Sequence, residues 1–254
     1  MTYPHSQDPN EARRILWNQF LLARALCRAA RGKQGGDGGF YYTDTHAGSG
    51  LLPGPLPFLE ELRVHRHGFA AQGFFDALEP PLAGGQHPGS WLLAGRLLKN
   101  LKLDAEIDVN DIDPDALVIA RQVKEEAWVR YWTHDWFLFL RSRLALAAKP
   151  DFVFIDPPPD DARGSAYAID AAILLDTLGV PYMISYPADD PQDCIDQIGR
   201  TGLELRLDDF SCGVLLGGGA ESVLLDALSD LKLLARHLGG DFLARLPSGY
   251  DYMI

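Results

Sequence analysis

Two short strings constrain this chain more than anything else in it: Asp44-Thr-His-Ala-Gly-Ser-Gly50 and Asp156-Pro-Pro-Pro159. Each follows a run of strand-forming residues, Phe40-Tyr-Tyr-Thr43 in the first case and Asp151-Phe-Val-Phe-Ile155 in the second. A glycine-rich turn leaving a strand lets the backbone come close to a ligand and bend into the next element. An acidic residue followed by rigid prolines, leaving a later strand, fixes a carboxylate and a carbonyl at a sheet edge. Together the strings predict an α/β sheet with a binding turn and a chemical turn on one edge.

The rest of the chain alternates in the way such a sheet requires. A helix is expected over residues 11–31, ended by Gly32 and the glycines of 35–39. Strands are expected at Phe40–Thr45, Glu106–Asn110, Val129–Thr133, Asp151–Ile155, Val180–Ser185, Gly202–Leu207 and Cys212–Leu216. Between them fall helical patterns at Ser90–Asn100, Pro114–Lys124, Trp136–Arg143, Ala168–Leu178 and Pro191–Gly199, with a last helix over Glu221–His237. This predicts about seven mostly parallel strands with helices on both faces. The last two strands are linked only by Asp208-Asp-Phe-Ser211, which favours an antiparallel hairpin. Residues 51–104 are too long for a loop and are expected to form a helical insertion after the first strand, above the C-terminal edge of the sheet, with helices near Phe58–Val64 and Gly68–Leu78. The whole of 1–254 is expected to be one domain.

Composition narrows the classes. With 254 residues and 47% hydrophobic content, the chain can bury one large core. Cys27, Cys194 and Cys212 form neither a CxxC pair nor a Cys/His cluster, so no metal site or disulfide framework is expected. No apolar run approaches a membrane span and no signal-peptide core is visible, which predicts a soluble cytoplasmic protein. A net charge of -12 is unfavourable for gripping bare phosphate backbone.

Gly48 and Gly50 suit close approach by an adenosine-containing cofactor, although a plain tight turn has the same composition. Asp111 ends the second strand, where a carboxylate accepts both ribose hydroxyls; Asp113, before Pro114, suits a helix N-cap. Asp135 follows the third strand, placed for the adenine amine with Trp136 against the ring, or for a helix N-cap. At the other turn, Asp156 and the Pro157 carbonyl form an acceptor pair. Such a pair suits an exocyclic amine, whose lone pair is delocalised: two accepted N–H groups aim it at an incoming methyl group, and alignment supplies most of the rate. This points to methyl transfer from S-adenosylmethionine to an amine nitrogen.

With these residues in view, the chain resembles the bacterial 23S ribosomal RNA adenine-N6 methyltransferases, within the Rossmann-like S-adenosylmethionine-dependent class. The matching residues are the Asp44–Gly50 string, His87-Pro-Gly-Ser90, Asp135, Asp156-Pro-Pro158 and Ser185-Tyr-Pro187, in the family's order over roughly residues 40–220. The resemblance implies a Rossmann-like methyltransferase sheet. It implies that the His87–Ser90 segment helps close the cofactor site, which is expected to draw on Asp44, His46, Gly48, Ser49, Gly50, Ser90, Asp111, Asp135 and Trp136. It also implies a target amine held by the Asp156, Pro157, Pro158, Pro159 turn. The chain departs from the family at Pro159, where the family has an aromatic residue stacking on the flipped base, and in the first helix, which offers Trp17 and Asn18, without a Lys, where the family carries a His/Asn/Lys-bearing motif near the cofactor. Methyl transfer to another amine, in a small molecule or protein, and a degenerate cofactor-binding interaction module stand as alternatives.

On the first helix Arg13, Trp17, Arg24, Arg28 and Arg31 fall within about 60° of one another at the helical period. That stripe is either a solvated face or a track for RNA or DNA phosphates with one stacking ring. His65, Arg66 and His67 are expected to be a surface cluster.

Overall fold

A computed structural model describes residues 8–33, 39–123, 128–158, 164–188, 198–247 and 251–253. Its elements are α1 (Pro9–Arg31), β1 (Phe40–Asp44), β2 (Leu51–Leu52), α2 (Leu59–Val64), α3 (Gly73–Ala77), β3 (His87–Pro88), α4 (Ser90–Asn100), β4 (Ala105–Asn110), α5 (Pro114–Ala120), β5 (Trp128–Trp132), α6 (Trp136–Leu144), β6 (Phe152–Ile155), α7 (Gly164–Leu178), β7 (Tyr182–Pro187), β8 (Thr201–Arg206), β9 (Ser211–Gly217), α8 (Leu224–His237), β10 (Asp241–Arg245) and β11 (Asp251–Met253).

Nine strands form one sheet in the order β11-β10-β8-β9-β7-β6-β1-β4-β5. The run from β5 to β7 is parallel throughout, and β9, β8, β10 and β11 continue it antiparallel. Chain order reverses between β1 and β6. Such a switch point opens a crevice at the C-terminal strand ends, where ligands of open α/β sheets bind. This is the expected Rossmann-like α/β sheet with helices on both faces. All seven expected strands are present, and β8–β9 is the expected hairpin.

Alternating residues sort the strands between two cores, as a pleated sheet requires. Phe152 and Phe154 join the core that holds α1, α3, α4 and α8, whereas Val153 and Ile155 join α6 and α7 on the opposite face. On β7, Met183 faces the first core and Tyr182, Ile184 and Tyr186 the second.

Four expectations need correction. Two further strands, β10 and β11, extend the sheet beyond the hairpin. Helix α5 stops at Ala120 because Gln122 and Val123 turn back onto Ile119 and Ala120. The helix expected over Gly68–Leu78 is only α3, Gly73–Ala77. The backbone before it is held by side chains: Gln72 donates to the Arg66 and Phe69 carbonyls, both at 2.8 Å, and buried Asp230 accepts the amides of Ala70 and Ala71. Finally, the helical insertion expected after the first strand is present, but it does not sit as one layer above the sheet edge. Its last helix, α4, is the regular crossover from β1 to β4, while α3 packs on α1 and α4 and α2 packs on α8. Only the β2–β3 ribbon, pairing Leu51 with Pro88 and Leu52 with His87, stays beside the β1 turn. The helix expected at Pro191–Gly199 falls largely on residues outside those described. No described helix is long and apolar enough to cross a membrane.

Candidate active site

Three strand exits are clipped together at the C-terminal edge. Asn110, fully buried at the end of β4, donates to the carbonyls of Thr45 (3.2 Å) and His134 (3.0 Å) and accepts the His134 amide (3.0 Å). Its own carbonyl accepts the Ala47 amide at 2.9 Å. Asp111 adds a second clip: Oδ2 accepts the Gly48 amide at 2.8 Å and Oδ1 the Asp113 amide at 2.9 Å. Burial raises the Asp111 carboxyl above its ordinary range, and the amides it accepts work against that rise. Asp113 caps α5 by accepting the Asp115 amide, with Pro114 as the first helical residue, as expected.

The turn after β1 is built on glycine for a steric reason. Gly48 (φ 56°) and Gly50 (φ 74°) occupy the left-handed region that other residues avoid. A Cβ on Gly50 would lie 2.3 Å from Cζ2 of the buried Trp91 indole. The Gly50 carbonyl accepts the Gly89 amide at 2.7 Å, which brings the His87–Ser90 string against the turn. Ser90 then donates to Asp44 Oδ2 at 2.6 Å, alongside the Tyr42 hydroxyl at 3.0 Å, while Asp44 Oδ1 accepts the His46 amide at 3.2 Å. Asp44 is wholly buried. Burial pushes its carboxyl up to about 7, against the Ser90, Tyr42 and His46 bonds; the charge of Asp156 adds to the rise. Ser49 closes the turn internally, its hydroxyl donating to the Leu51 carbonyl.

Asp156 leaves β6 next to this turn, two residues beyond the β1–β6 partners Asp44 and Phe154. Its Oδ1 accepts Arg14 Nη1 at 2.6 Å, and Asn18 Nδ2 stands 3.5 Å away. Asn18 is buried and gives its main bond to the Ser185 hydroxyl, at 2.9 Å, in the Ser185-Tyr-Pro187 string. One residue on, Gln19 donates to the Pro88 carbonyl (2.8 Å) and meets His87 Nε2 at 2.5 Å. Thus α1 crosses the switch point and ties three of the motif strings together. Arg14, Asn18 and Gln19 carry that role; the sequence points only to Asn18, at the position of the family's first-helix motif, and to neither Arg14 nor Gln19. Pro157 and Pro158 follow Asp156 at the edge, and Pro159 lies outside the described residues.

Trp136, buried at the start of α6, packs against His46 with ring centroids 5.4 Å apart. Asp135 Oδ1 accepts the Phe137 and Leu138 amides, both at 3.1 Å, so the residue caps α6, the alternative role offered for it.

The expected stripe on α1 is covered over most of its length and exposed only toward Arg31. Residues 15–23 are buried on every side because the helix lies on the sheet beneath α3, α4 and α8. Trp17 is fully buried, donates to the Leu203 carbonyl at 3.3 Å and packs on Phe242, so it is not placed to stack a base. Arg13 lies over the Phe58 ring and donates to the Leu238 carbonyl. Arg24 pairs with Asp230 and Asp226, and Arg28 and Arg31 pair with Asp226. Periodicity placed these side chains on one face, which is covered at Trp17 and Arg24 and opens to solvent at Arg31, where Asp226 is its partner.

No family model and no curated protein matches the sequence. Among solved structures, the Legionella pneumophila protein LPL1258, of family DUF519, superposes with a TM-score of 0.76 at 14% identity, over 91% of this chain and 96% of that one. Human methyltransferase-like protein 13, solved in complex with SAH, gives a TM-score of 0.43 at 13% identity over 91% and 92%. A putative methyltransferase from Thermoplasma acidophilum gives 0.36 at 12% identity over 70% and 67%. The likeness to the Legionella protein shows a shared fold across nearly the whole of both chains.

Proposed function

We propose that this chain is an S-adenosylmethionine-dependent methyltransferase acting on an exocyclic amine, the N6 amine of adenine in RNA or DNA. One observation carries the reading. The Gly48–Gly50 turn and Asp156 leave neighbouring strands on either side of the chain-order reversal, and Asp156 keeps an oxygen that no described residue donates to.

The residues present fit the cofactor. Gly48 and Gly50 carry no Cβ on either side of Ser49 in the turn. Asp111 accepts one amide on each oxygen, and a carboxylate has about four acceptor positions, so a ribose diol can still donate to it. Trp136, packed against His46, holds a buried Nε1–H that no described group accepts. Asp44, His46, Ser49 and Ser90 shape the turn from behind, and Asp135 sets the start of α6 beneath Trp136. When bound, the cofactor supplies an electrophilic methyl group on a sulfonium.

The protein's own part is alignment. Asp156 and the Pro157 carbonyl accept the two N–H groups of the amine and direct its lone pair; Pro158 stiffens the turn. These acceptors hold the amine nitrogen in line for the methyl group, and the surplus proton on the methylated nitrogen leaves to water. Neither acceptor has to act as a strong base.

A second reading, methyl transfer to an amine of a small molecule or protein, is favoured by one observation. Arg24, Arg28 and Arg31 of the stripe that would track phosphates are engaged by Asp226 and Asp230. Labelled methyl transfer to adenine-bearing RNA and DNA, run beside small-molecule and protein extracts, separates the two. Label on adenine N6 supports the first. Label only in the extracts supports the second. No transfer to any of them refutes both and leaves a cofactor-binding module.

A further inference from the structure

We infer that Arg14 is a positioning residue: it decides which carboxylate oxygen of Asp156 is presented to the substrate amine. This rests on the amine-methylation reading above.

The guanidinium of Arg14 is held at three points. Nε and Nη2 donate to the two oxygens of Glu11, at 2.9 and 2.7 Å, one helical turn earlier on α1. With that fork locked, the remaining nitrogen, Nη1, reaches Asp156 Oδ1 at 2.6 Å. The side chain is 15% exposed. Burial alone would disfavour its charge, but Asp156 and Glu11 more than offset that, and the guanidinium is held above its ordinary range. Asn18 Nδ2 stands 3.5 Å from the same Oδ1, and its amide is oriented by the Ser185 hydroxyl. Both approaches from α1 therefore converge on one oxygen, and among the described residues Oδ2 receives no donor.

This asymmetry matters because an unrestrained Asp carboxylate is free to turn. Its terminal torsion is broad and roughly two-fold, so its two oxygens exchange places easily. An acceptor pair for an amine needs one oxygen in a fixed direction relative to the Pro157 carbonyl, since both N–H groups must be met at once. Pinning Oδ1 from α1 fixes Oδ2. The arrangement also explains a residue choice: a guanidinium can be locked by Glu11 along its Nε–Nη2 edge and still present Nη1 to Asp156, as a lysine ammonium cannot.

The test uses the full chain, S-adenosylmethionine and an adenine-bearing oligonucleotide. Arg14→Ala should lower kcat on the order of 10²-fold, the scale of a small misplacement of a reacting group, with KM and cofactor Kd changed by less than about threefold. Arg14→Lys should recover only part of the loss. In an Asp156→Ala background, Arg14→Ala should cost nothing further, because the two act as a unit. A crystal structure of Arg14→Ala should show the Asp156 carboxylate turned or in two orientations. An unmoved carboxylate overturns the proposal, and so does wild-type or higher kcat, which would make Arg14 structural or a plug. If the wild type methylates no adenine-bearing substrate, the proposed substrate fails, while the carboxylate in the Arg14→Ala crystal structure still decides the role of Arg14.

Discussion

Gly50→Ala isolates the steric demand of the binding turn. Gly50 and Gly84 have nearly the same left-handed φ, 74° and 72°. An alanine at either position pays the left-handed cost of about 1–2 kcal/mol. They differ in surroundings: a Cβ at Gly84 meets nothing within 4 Å, whereas at Gly50 it would lie 2.3 Å from Trp91 Cζ2 and 2.4 Å from Cε2. Trp91 is 1% exposed and its indole is rigid, so relief requires moving packed backbone. Overpacking of that kind adds about 1–3 kcal/mol. Gly84→Ala should therefore lose about 1–2 kcal/mol, and Gly50→Ala about 2–5 kcal/mol, in urea unfolding of the full chain. Trp91→Phe in the Gly50→Ala background removes the clashing atoms, and a double-mutant cycle should show favourable coupling between the two changes. Equal destabilisation at Gly50 and Gly84, or zero coupling with Trp91, would refute the reasoning.

Asp44 should make stability fall as pH rises. Its folded carboxyl is pushed up to about 7 by burial, so the proton is held more tightly in the folded state. The stabilisation is complete below pH ~4 and is lost, on the order of a few kcal/mol, as pH rises to about 7; Asp44→Asn should flatten the slope between those values in unfolding titrations. Arg24→Glu should destabilise by about 3–5 kcal/mol because buried Asp230 loses its cation, whereas Arg31→Glu, on an exposed pair, should cost less than about 1 kcal/mol; thermal unfolding compares them. Asp111→Ala should weaken binding of S-adenosylhomocysteine by about 1–3 kcal/mol in calorimetry, the cost of leaving hydroxyl donors unpaired, and unchanged affinity would remove it from the site.

Strand-forming runs such as Phe152-Val-Phe-Ile155 were legible because their environment is local: both faces are covered and all four residues are apolar. The Asp113–Pro114 cap was legible for the same reason, since its bond spans two residues. The strand β10 was harder. Only Phe242 and Ala244 of Asp241–Arg245 are buried, too short an alternation to stand out after a long helix. Helix α1 shows the limit of periodicity, which reports a face and not what covers it. The stripe through Trp17 and Arg24 is real, yet α8 and the strands near Phe242 supply its partners from more than 180 residues away. The Arg14–Asp156 pair spans 142 residues and leaves no local signal. Only the sheet order, which brings β6 beside β1 beneath α1, creates it.

The central claim is that the Gly48–Gly50 turn and Asp156 form one site for methyl transfer to an amine. The most direct measurement is labelled methyl transfer from S-adenosylmethionine to an adenine-bearing oligonucleotide by wild type and Asp156→Asn, with each protein's cofactor affinity measured in the same preparation. The exchange replaces an acceptor with an amide that can turn a donor toward the amine, and leaves the volume unchanged. The account predicts transfer to N6 by wild type and its loss in Asp156→Asn, with cofactor affinity nearly unchanged. A folded Asp156→Asn protein that binds cofactor and keeps full turnover would contradict it.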